Sequence, residues 1–535
     1  KAADYMRFEL KDVIVDGGTS GMEVTAVNDS ESEDNPQKAI NEDQDTDTTK
    51  NNIYAGGVIG EGIGGEIQNV VVSNLKTVTG GLGAGGFAGT FGSGTLASVG
   101  GVDLLGLGLL EIDGLLSVAD MIETFANNSS ISGVEGGLSI KATSESGKAG
   151  GFIGYCVSGQ TTNCSVEKLK EVTANVSDGK AGGFIGYAKA GDALASVGDK
   201  IENDKLPGGI DIKNLLGVIS ALTPEFDQST VAFVSNGENP QVEADMAGGF
   251  LGDGEAVDIN YSINHPSEGE SANASTKISG LSNVKGYTYA GGFAGRVQPG
   301  DVAQTGSIDL LGLLEVDQLL SVMDVAYPQI SNSSITGEDL IVIAEGKTGN
   351  VAVGDAGGYI GSGKAVTVEN SNISNVKQVS GAYHAGGYIG LMKSGTVAEA
   401  GDETGALLNS VLGAVLNVQQ LAGVLQMASS QIINSKVSGI ETGMTVKAEC
   451  RSDNSKANSS AMAGGFVGEM QSGIINNEVN KTGEQKGTAV ENLLRVEGLR
   501  YAGGFGGLVK SGSVAEIGEN TAILNGIVLN DLISL

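Results

Sequence analysis

The chain has 535 residues, and its 31 Lys and Arg against 64 Asp and Glu leave a net charge of −33. Such a surface excludes nucleic acid as a partner, because binding to a phosphate backbone draws on clustered Lys and Arg; it suits cation binding or the plain solubility of a large exposed surface. Gly accounts for 86 residues and Pro for only 7, which excludes collagen, while 40% hydrophobic residues are too many for a disordered chain. Trp is absent and aromatics are 4%, so the expected core is narrow, filled by Val, Ile, Leu and small residues rather than by broad aromatic area. No window of about 18 consecutive apolar residues is present to span a membrane as a helix.

Residues 1–53 lie outside the repeats that fill the rest of the chain. Lys1 opens almost directly into Arg7-Phe8-Glu9-Leu10, so the sequence reads as an excised or processed piece of a longer protein. Phe8 to Val15 reads as strand, and Asn28 to Asn52 as a polar, acidic loop leading into or capping the repeats. Within that loop Asp43, Asp45 and Asp47 alternate and could offer oxygen ligands to Ca2+, as hard cations prefer. The Gly and closing Glu of an EF-hand loop are missing, and a solvated acidic loop is the competing reading.

From residue 54 one motif recurs: Ala-Gly-Gly, an aromatic or aliphatic residue, a small or apolar residue, then Gly. It begins at Ala55, Ala84, Ala149, Ala181, Ala247, Ala290, Ala356, Ala385, Ala463 and Ala502, at spacings of 29, 65, 32, 66, 43, 66, 29, 78 and 39 residues. Short and long spacings alternate, so the unit holds two motifs, and five units start near residues 54, 148, 246, 355 and 462, the last truncated. Stacked similar units make a solenoid, here a mainly β one. The glycines suit a sharp corner, where φ > 0 or a close backbone approach is needed. The pairs Gly151-Phe152, Gly183-Phe184, Gly249-Phe250, Gly292-Phe293, Gly358-Tyr359, Gly387-Tyr388, Gly465-Phe466 and Gly504-Phe505 are then equivalent corner residues, their rings inward or at the corner.

Ser158-Gly159, Ser394-Gly395, Ser472-Gly473 and Ser511-Gly512 follow as turns. Asn-rich strands come after first motifs, as in Asn69 to Leu75 and Asn370 to Val376, with an alternation that is a strand period. Their asparagines are either ordinary turn residues or rungs of a stacked amide ladder. After second motifs the chain takes a different path. Leu109–Asp120 and Leu313–Asp324 match at 9 of 12 positions, and the apolar residues of the later copy mostly fall on one side of a helical wheel. Related stretches occur at Ile210–Leu222, Leu407–Met427 and Ile523–Leu535, so each unit is expected to carry a helical insertion. Asn128-Ser129-Ser130 and Asn332-Ser333-Ser334 read as the turns that return the chain to strand rather than as glycosylation acceptors.

The hexamers such as Ala149-Gly150-Gly151-Phe152-Ile153-Gly154, with the Ser-Gly turn and Asn-containing strand after them, resemble the GLUG motif of bacterial surface proteins. Phe or Tyr here usually replaces the Leu, as in Gly183-Phe184-Ile185-Gly186 and Gly387-Tyr388-Ile389-Gly390. The resemblance covers roughly Tyr54 to Leu535. It implies a right-handed parallel β-helix within large secreted or cell-surface proteins, many of them adhesins. The implied partner is a host or neighbouring-cell surface ligand, or other copies of the chain. The long helical insertions depart from the usual motif spacing.

No arrangement of residues points to catalysis. His265 and His384, the two histidines, have no Cys or Ser partner at a recognisable spacing and read as structural. Carboxylate pairs for glycoside cleavage are not distinguishable among 64 acidic residues. The five arginines, Arg7, Arg296, Arg451, Arg495 and Arg500, are too scattered to support a polysaccharide lyase, which is the enzymatic alternative for a β-helix. The glycines lack the following Gly-Lys-Ser/Thr of a P-loop. Cys156 and Cys164, eight apart across a turn, are expected to form a disulfide in secreted material. The reading that results is a non-catalytic extracellular structural or adhesive region. Its alternatives are a polysaccharide-binding or -degrading β-helix and a self-assembling filament subunit.

Overall fold

The computed structural model describes residues 8–26, 53–92, 124–191, 223–265, 274–300, 304–305, 308–309, 327–347, 353–395, 429–449, 461–476 and 487–511. The described residues are mainly strand. The one helix among them is the single turn Tyr261–Asn264. The helical segments expected at 109–120, 210–222, 313–324, 407–427 and 523–535 lie outside the described residues, as do Asp43, Asp45 and Asp47.

The ten motif alanines set the register. Ala55 pairs with Ala84, Ala84 with Ala149, and so on through Ala463 with Ala502, always in parallel. Around this line the chain makes ten passes through the same three parallel sheets in the same order. The first sheet has ten strands, from Phe8–Lys11 to Ile474–Asn476, and the third also has ten, from Ile59–Ile63 to Gly506–Lys510. The second sheet takes 23 strands, because most passes cross it in two or three pieces such as Ser130–Gly133, Leu138–Ala142 and Lys148–Gly150. Long parallel sheets of this kind are compatible with a β-solenoid. The first pass already uses Phe8–Lys11, Ile14–Asp16 and Met22–Thr25, so the N-terminal strand reading extends into the stack itself.

In-register parallel strands put like side chains on like at the strand spacing of about 4.8 Å. The motif aromatics therefore form one column: Phe87, Phe152, Phe184, Phe250, Phe293, Tyr359, Tyr388, Phe466 and Phe505. Neighbouring ring centroids are 4.5 to 5.0 Å apart and the ring planes nearly parallel. All but Phe505, on the last described pass, are fully buried. Offset-stacked rings gain about 0.5–1.5 kcal/mol per pair beyond their burial. Val58 holds the equivalent place on the first pass, its N–H donating to the Phe87 carbonyl at 2.9 Å.

Of the two uses anticipated for the motif glycines, positive φ and close backbone approach, the structure shows the second. None of the motif glycines has positive φ. A Cβ on the first Gly would lie 1.8–2.1 Å from the carbonyl oxygen three residues on, as Gly150 would from Ile153 and Gly182 from Ile185. A Cβ on the second Gly would meet the carbonyl of the same Gly on the next pass, Gly151 against Gly183 at 1.9 Å and Gly183 against Gly249 at 2.0 Å. The first glycine thus permits the fold of the corner, and the second permits the stacking of one corner on the next. Gly504, on the last described pass, has nothing within 4 Å.

Positive φ falls instead on the asparagines between the first and second sheets: Asn69, Asn128, Asn163, Asn260, Asn332, Asn370 and Asn434, with Asp12 and Gln228 in the same place. Asn tolerates this conformation better than other non-glycyl residues. Several also reach the neighbouring pass through their side chains. Asn69 Nδ2 donates to Asp12 Oδ1 at 2.9 Å, Asn163 Nδ2 to Asn128 Oδ1 at 2.7 Å, and Asn434 Nδ2 to Asn370 Oδ1. Turn chemistry and amide rungs are therefore combined at one corner. The position after it is a buried serine on five of these passes, Ser129, Ser229, Ser333, Ser371 and Ser435, with Ser371 Oγ accepting from Ser333 N–H and Ser435 Oγ from Ser371 N–H, both at 3.2 Å.

The corner from third to first sheet explains the alternating motif spacing. On alternate passes it takes one or two residues: Gly64, Ser158, Ala256-Val257, Ala365-Val366 and Ser472-Gly473, each including a residue with φ of 46–65°. On the others the chain leaves the described core near residues 92, 191, 300 and 395 and returns near 124, 223, 327 and 429. These four excursions therefore start and end at the same corner of the stack, whereas residues 27–52 fall between two strands of the second sheet, Met22–Thr25 and Tyr54–Gly56.

Candidate functional site

At the Gly-Gly-aromatic corner the outward faces of the second and third sheets turn toward one another. On three passes the residue before the motif and the sheet-three residue seven positions later then come into contact. Lys148 Nζ sits 5.0 Å from the centre of the Tyr155 ring, Lys180 Nζ 5.4 Å from Tyr187, and the Arg296 guanidinium 5.8 Å from Tyr289. A file of charged and aromatic side chains follows from this along a re-entrant edge. Tyr155 and Tyr187 stack at 5.4 Å. Burial, with the neighbouring Lys180, lowers the Lys148 pKa to about 8.

Midway along the edge, Asp253 is fully buried and takes both arms of Arg296, Nε to Oδ1 at 2.8 Å and Nη2 to Oδ2 at 2.7 Å. Bidentate pairing of this kind is the strong form of a charged hydrogen bond. Nearby, Asp245 is buried between Lys347 Nζ at 2.7 Å and Thr288 Oγ1 at 2.5 Å.

Three passes on, His384 is buried, with Nδ1 2.8 Å from Asp355 Oδ1 and Nε2 2.7 Å from Glu469 Oε2. Neutral imidazole has one N–H, so two carboxylates, one on each nitrogen, call for the imidazolium. Burial by itself would depress the His384 pKa; Asp355, joined by Glu469, outweighs it and raises the pKa to about 9. Burial likewise opposes ionisation of Glu469, but hydrogen bonds from His384, Lys510 and Gln471 bring it to about 2. Above this network lies a pocket of about 420 Å³, lined by Tyr383, His384, Leu391, Lys393, Met462, Glu469, Gln471, Arg500, Tyr501, Leu508 and Lys510.

His384 is thus a buried ion-pair centre. Reading it as a lone structural residue missed its partners Asp355 and Glu469, 29 and 85 residues away. The signal was present in the position before each motif, which reads Lys148, Lys180, Tyr289, Asp355, His384 and Tyr501 on six of the passes. His265 follows the short helix, with Nε2 3.2 Å from Asp258 Oδ2 and its ring against Tyr261.

The expected disulfide is not formed. Cys156 and Cys164 are free and buried. Cys156 lies on the third sheet, Cys164 just beyond the first-to-second corner, and the whole strand Gly159–Thr162 separates them. Four strand residues span about 13 Å at the usual rise, beyond the ~7 Å that a disulfide allows between Cα atoms. Cys164 Sγ instead donates to the Ala126 carbonyl at 3.3 Å. Among the described residues no group of three or more His, Cys, Asp or Glu is arranged to hold a metal ion. No helix among them is long and apolar enough to cross a membrane. No protein family, no curated protein and no solved structure matches the chain.

Proposed function

We propose that the chain is a non-catalytic structural and adhesive region of a large bacterial surface or secreted protein, built as a right-handed parallel β-helix with helical excursions from one corner. The observation that carries this reading is the unbroken register of ten passes on one column of rings. Repetition without change of register makes a stiff spacer about 45 Å long, at ~4.8 Å per pass. The GLUG resemblance supports an extracellular setting, and the acidic surface supports solubility at high local density. Such a rod holds a binding edge at a distance from its anchor.

The test has two parts. Circular dichroism of the purified chain should give a strand-dominated spectrum, and immobilised chain should retain glycan or matrix-protein surfaces above an unrelated acidic control. A helix-dominated spectrum, or retention equal to that of the control, overturns the reading.

A further inference from the structure

We propose that the pocket on the eighth to tenth passes binds an acidic saccharide, with its ring laid on Tyr383 and Tyr501 and its carboxylate held by Arg500 and Lys393. The proposal rests on the adhesive reading and deepens it by naming a ligand class. The pocket, at about 420 Å³, falls within the range of small-ligand sites. Its lining mixes tyrosine rings and aliphatic side chains with cations, which suits a molecule that has both a C–H face and charged or hydroxyl edges.

Charge makes the choice of ligand. On a chain of net charge −33, anions are repelled everywhere except where cations outnumber carboxylates locally. In this pocket Glu469 is already consumed: Oε2 meets His384, and Oε1 accepts from both Lys510 and Gln471 at 2.7 Å. Arg500 and Lys393 have no carboxylate partner among the described residues. The Arg500 guanidinium lies 5.2 Å over the Tyr501 ring, a placement that orients its planar fork.

On the ninth pass the corner amides are already used, since Gly465, Phe466 and Val467 all donate their N–H groups to the tenth pass. Anion recognition falls to the side-chain cations, among which the Arg500 fork can take a carboxylate through two parallel hydrogen bonds. A cation over a tyrosine ring also occurs on earlier passes of the same edge, at Lys148–Tyr155 and Lys180–Tyr187.

Titration calorimetry on the whole purified chain would use a galacturonic acid trisaccharide, a neutral glucose trisaccharide and inorganic phosphate. The acidic trisaccharide should bind at least tenfold more tightly than either comparator. Arg500→Ala and Tyr501→Ala should each weaken it at least tenfold, with unchanged circular dichroism. Lys11→Ala, remote on the first pass, should leave it unchanged. Equal binding of the neutral sugar or of phosphate overturns the proposal, as does insensitivity to both pocket variants. Surface retention unaffected by Arg500→Ala would sink the pocket while leaving the adhesive reading intact. Uronate binding at the pocket without any surface retention would do the reverse.

Discussion

Gly183→Ala separates two accounts of the motif glycines. The added Cβ would lie 2.0 Å from the Gly249 carbonyl oxygen and 2.7 Å from the Phe233 ring. Relieving the carbonyl clash needs about 1 Å of movement between passes, since real Cβ contacts stop near 3.0 Å. That movement stretches two bonds that hold the passes together, Gly183 N–H to Gly248 O at 3.2 Å and Phe184 N–H to Phe250 O at 2.9 Å. Buried groups left unpaired cost about 1–3 kcal/mol each, and loosening the Phe184–Phe250 stack adds about 0.5–1.5 kcal/mol. The expected loss is about 2.5–7.5 kcal/mol. Gly504→Ala, at the equivalent place with nothing within 4 Å, should cost no more than about 0.5 kcal/mol, as at an ordinary surface site. Hydrogen exchange read by mass spectrometry suits the comparison, because a stack unfolds as a sum of neighbouring units rather than as one body. Protection should fall in peptides covering residues 180–189 and 242–255 for Gly183→Ala, and nowhere for Gly504→Ala. Equal loss at the two sites would refute the close-approach argument and favour a backbone-conformation cost, which would be similar at both.

The His384 centre gives a pH dependence. With its folded pKa raised from 6.5 to about 9, its contribution is full below pH 6.5 and is lost as pH rises through 9. The linkage is on the order of 3 kcal/mol. Lys148, lowered to about 8, titrates in the same window with the opposite sign, so the comparison is between wild type and His384→Gln. Urea unfolding at pH 6 and pH 10 should show wild type losing more stability than the variant on going to pH 10, and the same pH dependence in both would contradict the ion-pair assignment. Burial pushes the Cys156 and Cys164 thiols up to about 12, so both should resist alkylation when folded and react without reductant once unfolded; failure to react after unfolding would indicate a disulfide. Phe250→Ala removes a fully buried ring stacked on both faces and should cost about 3–5 kcal/mol. Phe505→Ala, 44% exposed and stacked on one face, should cost less than half as much; denaturation midpoints that match for the two would place another ring on Phe505.

The sequence by itself determined the count and phase of the repeat. Ten Ala-Gly-Gly motifs mark ten passes, because a corner that tolerates no Cβ forces the same residue type at each turn of the chain. The alternating spacing likewise placed the long excursions of the repeat region after the second motif of a unit, which the strand order puts at one corner. The choice between amide ladder and turn at the asparagines stayed open in sequence, since both use the same residue, and only the stacked backbone showed that they coexist. Tertiary structure alone decided which outward side chains meet. His384, Asp355 and Glu469 come together only when the register of three passes is known, and excursions of unequal length hide that register from linear spacing. The same reason defeated the disulfide: eight residues look close along a chain, yet a strand between two corners carries Cys156 and Cys164 apart. Short-range sterics repeat in the sequence and can be read there, whereas contacts between passes depend on what each intervening segment adds.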